Sequence, residues 1–309
     1  MTTRPRIGVM LPRDLPAAHA RDFARAAERL GFDELWVVED LAFRGGIAQA
    51  GAVLGWTERI RVGIGILPAA VRHVVFAAME IATLAQLFPG RIDVGVGHGL
   101  PPWMKQVGVW PARPVAFLEE HVTDLRALLA GREAAGASLD ASTVPDEVPP
   151  ILLGVRGPRS LALSGRVADG TVLAEPCTPE YVRAARAHVS ATRPHRVVGY
   201  NVGAVAATSD EAYALARPAL EWIGEPDWAV HLADLPFRAE LEELRAASAT
   251  RADFAAALPD AWVAQLALAG TPEQVRLRLD ELGAAGVTSS VFIPAGPDPF
   301  AALEALARP

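Results

Sequence analysis

A glycine-rich segment around one histidine has the residue types and spacing for acid–base chemistry. Residues 95–100 read GVGHGL and follow a short apolar run. Because histidine titrates near neutral pH, His98 is a candidate general acid, general base or hydrogen-bond donor, and a purely structural hydrogen bond is the alternative. The segment is not a dinucleotide-binding fingerprint, since Leu100 stands where the third glycine belongs and two prolines follow in place of a helix start.

Two adjacent carboxylates form a second candidate for proton transfer. Residues 36–40 read WVVED, so Glu39 and Asp40 end an apolar run. Neighbouring side chains of a strand point to opposite faces, so one carboxylate could enter a site while the other caps the next turn. A carboxylate in the site could orient a cofactor or carry a proton. A helix cap or a solvated turn explains the same dipeptide equally well.

Two glycines interrupt the apolar run at residues 60–67. Gly63 and Gly65 alternate there with isoleucines. Glycine inside a buried strand marks either a bulge or a place where another group packs closely on the backbone. A flat cofactor ring lying on the strand would need both glycines, and a bend of the strand is the alternative.

A fourth segment has the composition of an anion site. Residues 154–160 read GVRGPRS, with Arg156 and Arg159 on either side of Pro158 and with Ser160 after them. Proline favours the first turn of a helix, where backbone N–H groups are free. Free N–H groups, two arginines and a serine together predict a phosphate site. Surface arginines on an ordinary first turn are the alternative.

All four segments follow predicted strands, because short apolar runs alternate along the chain with stretches of helical periodicity. The predicted strands are Arg6–Leu11, Asp33–Val38, Ile60–Leu67, Ile92–Gly97, Ile151–Gly154, Gly170–Ala174, Val197–Ala206 and Ser289–Ile293. Strand–helix units in this order predict an α/β fold, a (β/α)8 TIM barrel, with an open doubly wound sheet as the alternative. In such a barrel the loops that follow the strands build the active site.

Three stretches depart from the simple strand–helix alternation. Residues 131–148 read as a polar linker, and residues 100–114 read as a loop rich in proline and tryptophan. Residues 209–268 read as helical throughout, which is longer than one crossover needs. We interpret this last stretch as a helical insertion before the last strand, within a single domain of residues 1–309.

Composition and charge exclude several classes of protein. The net charge of −7 argues against a nucleic-acid partner, which would need a basic surface. Cys177 is the single cysteine, so an intramolecular disulfide or a cysteine-rich metal site cannot form. No two histidines have metal-ligand spacing, and His19, His188, His195 and His231 read as solvated. No apolar run is long enough for a membrane span or a signal peptide, so we expect a cytoplasmic protein without metal.

Taken together, the segments resemble the luciferase-like flavin oxidoreductases. The branch they resemble most is similar to methylenetetrahydromethanopterin reductase, which uses the deazaflavin F420. The matching segments, in order, are WVVED at 36–40, TERIRVGIGILP at 57–68, AMEIATLAQLFPGR at 78–91, GVGHG at 95–99, PVAFLEEHVTDLRALLAG at 114–131, GVRGPRSLALSGRVADG at 154–170 and AGTPEQVRLRLDELGAAGV at 269–287. The resemblance therefore runs through almost the whole chain.

The resemblance implies F420 or FMN bound over the carboxyl ends of the barrel strands. It implies a non-prolyl cis peptide at the end of the third strand, most naturally between Gly65 and Ile66, and a backbone-anchoring role for Asp169. The cofactor phosphate would lie on residues 156–160. The cofactor-binding residues implied in this way are Gly63, Gly65, Ile66, Gly97, Gly99, Arg156, Gly157, Pro158, Arg159 and Ser160.

Two departures from the family pattern reduce the number of activities that the resemblance implies. F420-dependent sugar-phosphate and alcohol dehydrogenases carry Asp-His where this chain has Glu39-Asp40, and a glutamate where it has Leu100. The usual proton-transfer pair is therefore missing. A reductase or monooxygenase, with His98 or Glu39 handling protons and Asp40 beside them, fits better.

The resulting hypothesis is F420-dependent hydride transfer to or from a small organic substrate. An FMNH2- and O2-dependent monooxygenase on the same barrel is the first alternative, and a cofactor-free binding or structural barrel is the second. Residues 100–114 and 221–235 are expected to form walls of the substrate pocket. Members of the family commonly dimerise, so we expect a homodimer.

Overall fold

The computed structural model describes residues 4–308 of the chain. Nine strands lie within those residues. They are β1 (Arg6–Met10), β2 (Glu34–Val37), β3 (Arg61–Pro68), β4 (Ile92–Gly97), β5 (Ile151–Gly154), β6 (Gly170–Leu173), β7 (Arg196–Val205), β8 (Leu268–Gly270) and β9 (Ser289–Pro294).

Helices cover the outside of these strands. They are α1 (Ala17–Leu30), α2 (Gly46–Trp56), α3 (Val74–Leu87), α4 (Pro101–Gln106), α5 (Pro114–Leu129), α6 (Pro158–Val167), α7 (Pro179–Val189), α8 (Ser209–Ala216), α9 (Ala229–Leu232), α10 (Arg238–Ala247), α11 (Arg251–Ala257), α12 (Asp260–Leu266), α13 (Pro272–Ala285) and α14 (Pro299–Leu306). Short 3-10 turns lie at Ala69–Val71, Ala141–Thr143, Arg217–Leu220 and Pro226–Trp228. No helix of residues 4–308 is both long and apolar enough to cross a membrane.

Eight of the strands close a parallel barrel, which confirms the predicted fold class. The ring runs in order from β1 to β7 and then through β9 back to β1. β7 pairs with β6 through its first four residues, with β9 through Val198–Gly203, and with β8 through its last three residues. Residues 209–268, which we predicted to be helical throughout, form several short helices and 3-10 turns separated by non-helical residues, so that prediction was wrong in detail. β8 (Leu268–Gly270), at the end of this stretch, is a strand that we did not predict. A run of three residues is too short to reveal strand periodicity.

A second local prediction needs correction at the end of β4. We expected a loop at residues 100–114, but Pro101–Gln106 is the helix α4. Its two prolines occupy the first helical positions, where a missing N–H breaks no intrahelical bond. Tandem proline therefore starts this helix instead of preventing it.

Local signals at the outer helices agree with their positions in the sequence. The Thr271 hydroxyl accepts a hydrogen bond from the Gln274 N–H, and the Gln274 side chain accepts one from the Thr271 N–H, which closes a capping box at the start of α13. The helix ends at Gly286, whose φ of 112° suits glycine. The strands instead read as continuous apolar runs, because helices cover one face and the barrel interior covers the other.

Charged side chains close the amino-terminal end of the barrel interior, which we call the base. Glu34 and Asp93 are buried there, and three arginines reach them from the rim. Above this layer, Trp36 fills the centre of the barrel and meets Tyr200 edge-on at 5.9 Å between ring centroids. The interior is thus packed, and any ligand must enter at the opposite, carboxyl end, which we call the mouth.

Candidate active site

The floor of the mouth is apolar. Met10, Ile66 and Ile293 are partly buried there and pack on the layer that contains Trp36 and Tyr200. These side chains come from β3, β1 and β9, which lie within four consecutive strands of the ring. Such a surface suits the flat face of an aromatic ring, while polar groups are left to the surrounding loops.

Glu39, which follows β2, is bound by structural partners on both carboxylate oxygens. Arg72 donates to Oε1 at 2.6 Å and to Oε2 at 2.8 Å, and the Gly46 N–H donates to Oε2 at 2.6 Å. Gly46 is the first residue of α2, so the carboxylate also caps that helix. Glu39 therefore holds the loop after β2 against the segment after β3.

Asp40 and Arg13 form an ion pair at the edge of the mouth. The Arg13 Nη1 atom donates to the Asp40 Oδ2 at 2.5 Å, and the guanidinium lies 4.8 Å from the centre of the Phe43 ring. Their side chains are 40% and 26% exposed, so solvent or a ligand can reach both charges. The pair joins the loops after β1 and β2.

His98 and Ser160 bring two of the predicted segments together. The His98 Nε2 and the Ser160 Oγ are 3.0 Å apart, which links the end of β4 to the first turn of α6. Burial lowers the pKa of His98, so the imidazole is largely neutral at neutral pH. The Trp110 ring lies 6.3 Å away, and residues 100–114 thereby reach the mouth as expected.

The glycines at the strand ends serve protein packing. A Cβ on Gly63 would lie 2.3 Å from the Trp36 ring, and a Cβ on Gly65 would lie 2.4 Å from the Tyr200 hydroxyl. A Cβ on Gly97 would lie 2.5 Å from the Gly154 carbonyl oxygen. The physical reason that we gave for two of them, a ring lying on the strand, is therefore not needed to explain these glycines.

Only some of these backbone positions are open to a ligand. Gly63 and Gly97 are buried, whereas Gly65, Ile66 and Gly99 are partly exposed. The Gly65–Ile66 peptide bond is cis, as predicted. The register of β3 against β4 shifts between Ile64 and Leu67, and the Ile66 side chain there packs with the barrel interior. A ligand over the mouth could contact Gly65 and Ile66 directly.

The predicted anion segment opens on the same side of the barrel. Gly157 is the N-cap of α6. Because glycine has no side chain, it offers no acceptor to the free N–H groups of the first turn. Arg159 is exposed. Arg156 donates to the carbonyl oxygen of Asp227 at 2.7 Å and lies 5.4 Å from the Trp228 ring. Residues 221–235 of the insertion thus reach the mouth, as expected.

Glu175 is a mouth residue that we did not identify from the sequence. It follows β6 directly, is half-buried and precedes Pro176 through a cis peptide bond. Burial raises the pKa of its carboxyl, against the opposing effects of its own backbone N–H and of Arg156. The available signal was its place: it is the first charged residue after a predicted strand, the position used to find Glu39 and His98.

The loop after Glu175 is tied to the neighbouring strand. The Asn201 side chain accepts from the Cys177 N–H at 2.9 Å and donates to the Cys177 carbonyl oxygen at 3.1 Å. Asn201 is 3% exposed, so water competes little for these bonds. Thr178 then caps α7 by accepting from the Tyr181 N–H. These bonds fix the backbone on the carboxyl side of Glu175.

Two histidines that we expected to be solvated are not. His231 is 1% exposed and packs on the Tyr181 ring at 4.3 Å, and burial lowers its pKa to about 3. His195 is half-buried, and its Nε2 lies 2.8 Å from the Thr171 hydroxyl. The predictions failed because the insertion folds onto α7 and the base closes around residue 195, which no local pattern reveals. Across residues 4–308 no cluster of acidic, histidine or cysteine side chains could hold a metal ion.

Asp169 lies away from the mouth and has the anchoring role that we expected. Its Oδ2 accepts from the Ile151 N–H at 2.9 Å and from the Arg126 guanidinium at 2.5 Å. Ile151 begins β5, so the carboxylate holds the start of one strand beside the start of the next.

The barrel, its mouth and the order of its segments match a known family. The sequence pattern described as luciferase-like monooxygenase covers residues 1–289. The chain belongs to the luciferase-like monooxygenase family. The alignment to the individual relative described next covers a shorter part of the chain than the family pattern does.

Among relatives, this luciferase-like protein is 33% identical over 178 residues to an F420-dependent glucose-6-phosphate dehydrogenase of Microbacterium testaceum, an alignment that covers 52% of this chain and 53% of the relative. The chain thus spans about half the length of that relative. Among solved structures, the coenzyme F420 dependent tetrahydromethanopterin reductase of Methanopyrus kandleri superposes with a TM-score of 0.78 at 22% identity, over 99% of this chain and 98% of that one.

An FMN-containing protein of the same fold is also similar. The oxygenating constituent of 3,6-diketocamphane monooxygenase of Pseudomonas putida, solved with FMN, superposes with a TM-score of 0.68 at 16% identity, over 99% of this chain and 97% of that one. Luciferase-like barrels therefore include proteins described with F420 and proteins described with FMN. At these identities the superpositions establish the fold.

Proposed function

We propose that this protein is a cytoplasmic oxidoreductase that transfers a hydride between the deazaflavin F420 and a small organic substrate. The proposal depends on three features that lie together at the barrel mouth. They are the first turn of α6 with its uncapped N–H groups, the exposed Arg159 and the apolar floor. A phosphate-bearing, flat cofactor needs such a combination. The sequence relative described as F420-dependent supports F420 over FMN.

The residues present fit such a cofactor. Arg156, Gly157, Pro158, Arg159 and Ser160 would hold the phosphate through N–H groups and positive charge. Gly65, Ile66 and Gly99 are the partly exposed backbone positions near the ring. The cofactor supplies the two electrons of the reaction as a hydride, and the protein supplies orientation and proton transfer. Gly63 and Gly97 would support the cofactor site indirectly, because they leave room for the Trp36 and Ile66 side chains.

The polar residues of the mouth divide into supporting and reacting groups. Glu39 is the support of two loops through Arg72 and Gly46. Asp40 and Arg13 present a neutralised pair at the edge. His98, held by Ser160 and largely neutral, is placed to donate or accept a hydrogen bond at the cofactor or the substrate. We assign its role as hydrogen bonding and proton transfer in the loaded enzyme.

Titration of the purified protein with F420 and with FMN, followed by fluorescence, tests the cofactor. We expect F420 to bind at least about tenfold more tightly than FMN, a difference of about 1.4 kcal/mol. Tighter binding of FMN, with O2 consumption on reduction, would favour the monooxygenase instead. Binding of neither compound would favour a barrel without a cofactor.

The homodimer remains part of this proposal and is supported by one face of α3. Phe76, Met79 and Leu87 are 63%, 48% and 67% exposed and recur at helical spacing. An apolar stripe of this kind is typical of a surface that a second subunit covers. Sedimentation equilibrium should give twice the monomer mass, and Phe76→Glu combined with Met79→Glu should yield monomers. A monomeric wild-type protein would exclude the dimer.

The insertion shares its apolar core with the barrel. Val202 and Ala204 of β7 and Ala269 of β8 pack with buried residues of α10, α11 and α12. This shared core supports our interpretation of residues 1–309 as one domain, since an independent domain has a core of its own.

A further inference from the structure

The titratable groups at the mouth differ in how far the protein already uses them. Both Glu39 oxygens are bonded to Arg72 or Gly46, and Asp40 is paired with Arg13. His98 is bonded to Ser160. Glu175 makes no ion pair and no side-chain hydrogen bond to another residue in the part of the chain that the structure describes. Among these four groups, Glu175 is the carboxyl that is left for a ligand.

The backbone on both sides of Glu175 is well fixed. β6 ends at Leu173, which is paired in register with Gly199 of β7. Two residues beyond Glu175, the side chain of Asn201 holds both the N–H and the carbonyl of Cys177. A group that transfers protons must be held within a fraction of an ångström of its productive position, and rigid elements do this better than mobile loops. Glu175 has that support.

Burial and the charges around Glu175 together raise the pKa of its carboxyl. Desolvation is the largest effect and raises its pKa, and Asp40 adds to the rise. A hydrogen bond from the backbone N–H of Glu175 itself opposes the rise, and so do Arg156 and Arg13. Arg13, however, is paired with Asp40, and Arg156 donates to the Asp227 carbonyl. Tyr200, on the neighbouring strand, faces the same region and is uncharged, since burial raises its own pKa. General acids and bases in enzymes are tuned by burial in this way.

We propose that Glu175 is the residue that exchanges a proton with the substrate oxygen, and that the substrate is therefore a carbonyl compound or the corresponding alcohol. The inference rests on the proposed hydride transfer. In the reducing direction the carbonyl carbon accepts a hydride from reduced F420, and the electron pair of the broken C–O π bond moves to oxygen. That oxygen takes the proton of Glu175, so the alcohol forms, the carboxylate remains and F420 is oxidised.

The first test uses Glu175→Gln, which keeps the shape of the side chain and removes its acid–base chemistry. With reduced F420 and a panel of small ketones and aldehydes, kcat/KM should fall by about 100-fold or more, the usual contribution of a general acid. The affinity for F420 in a fluorescence titration should stay within about twofold. Glu304→Gln is the matched control, because Glu304 is an exposed glutamate of the outer helix α14. It should behave as the wild type.

The pH dependence gives the sign of the effect. Carbonyl reduction needs protonated Glu175, so wild-type kcat/KM should decrease as the pH rises through the raised pKa of Glu175. Alcohol oxidation needs the carboxylate, so its kcat/KM should decrease as the pH falls through the same value. Both limbs should disappear in Glu175→Gln.

A second test needs no cofactor and no substrate. Because the pKa of Glu175 is raised on folding above its ordinary value of 4.5, its contribution to stability is full below that pH and is lost as the pH rises through the folded value. Glu175→Gln does not titrate. Its Tm should exceed that of the wild type at pH 8, with little difference at pH 4.5. Glu304→Gln should show no such difference at either pH.

Four results would overturn the assignment of Glu175, and a fifth would overturn the proposed function on which it rests. Unchanged kcat/KM in Glu175→Gln, persistence of the pH limbs in that variant, or F420-binding wild-type protein that turns over none of the carbonyl compounds would each exclude this role. A lower Tm of the variant at pH 8 would show a bonded, structural carboxylate and would also overturn it. Failure of the wild type to bind F420 would instead overturn the proposed function, whatever the Tm measurements give.

Discussion

The two ends of the barrel treat buried carboxylates in opposite ways. At the base, Glu34 accepts from the Trp36 indole at 2.8 Å, from the Ser289 hydroxyl at 3.0 Å and from Arg196 at 3.3 Å. At the mouth, Glu175 has no such partner among residues 4–308. The base therefore compensates the cost of burying charge within the protein, and the mouth leaves part of that cost for a ligand to offset.

The two ends differ because the base must keep water out of the barrel interior, whereas the mouth must admit a ligand. Asp93 at the base is bonded to Arg61 at 2.6 Å and to Arg196 at 2.9 Å, so paired charges close the barrel interior against water. A carboxylate whose oxygens are all bonded to protein groups cannot also bind a substrate. Groups that are placed but not paired are consequently the ones to examine for function.

The largest effect should come from breaking the base. Glu34→Ala leaves the Trp36 indole and the Ser289 hydroxyl without their acceptor and removes one of the two carboxylates that Arg196 contacts. Removal of one partner from a buried ion pair costs about 3–5 kcal/mol. Urea denaturation measures this loss. Folded variant protein should still bind F420 with wild-type affinity, because the base is at the opposite end from the mouth. A loss under about 1 kcal/mol would mean that the base is not a stabilising network.

Acid should destabilise the insertion at the mouth. The pKa of His231 falls on folding from 6.5 to about 3, so its contribution to stability is present above pH 6.5 and is lost as the pH falls towards 3. His231→Phe keeps a ring against Tyr181 and does not titrate. Between pH 7 and pH 4 the wild type should lose about 3 kcal/mol more than this variant. Parallel pH profiles would show that His231 is not buried in solution.

A smaller effect is expected at the phosphate segment. Arg156→Ala and Arg159→Ala should each weaken F420 binding by about 10-fold to 100-fold, the range for one charged hydrogen bond. Stability should change little for Arg159, which is exposed. Arg166→Ala is the matched control at the far end of α6, where the arginine is 56% exposed and pairs with Glu119. Equal affinities in all three variants would remove the phosphate assignment.

The smallest effect on binding is expected at His98. His98→Ala removes the bond to Ser160 and the imidazole, so turnover should fall by about tenfold or more, while F420 affinity stays within about threefold. Ser160→Ala serves as the companion variant, since it removes the same bond and keeps the imidazole. Full turnover in His98→Ala would limit that histidine to a structural role.

The sequence predicted the elements more fully than the contacts between them. Eight of the nine strands and the helical insertion were predictable, because buried runs and helical spacing are local properties. The short β8 and the proline-initiated α4 were missed, the first for its three residues and the second because proline is permitted only at a helix start. Strand ends also located His98, Glu39 and Arg156 at the mouth.

The functional state of each mouth residue was decided by the tertiary structure alone. Glu39 and Glu175 both follow strands. Glu39 is bonded to Arg72 and Gly46, whereas Glu175 has no ion pair or side-chain hydrogen bond to another residue among residues 4–308. Residues 39 and 72 are far apart in sequence, and no periodicity indicates that they meet. By itself the sequence determined the barrel and the family, since these depend on local pattern and order. Which carboxylate is free depends on long-range contacts, and those exist only once the chain is folded.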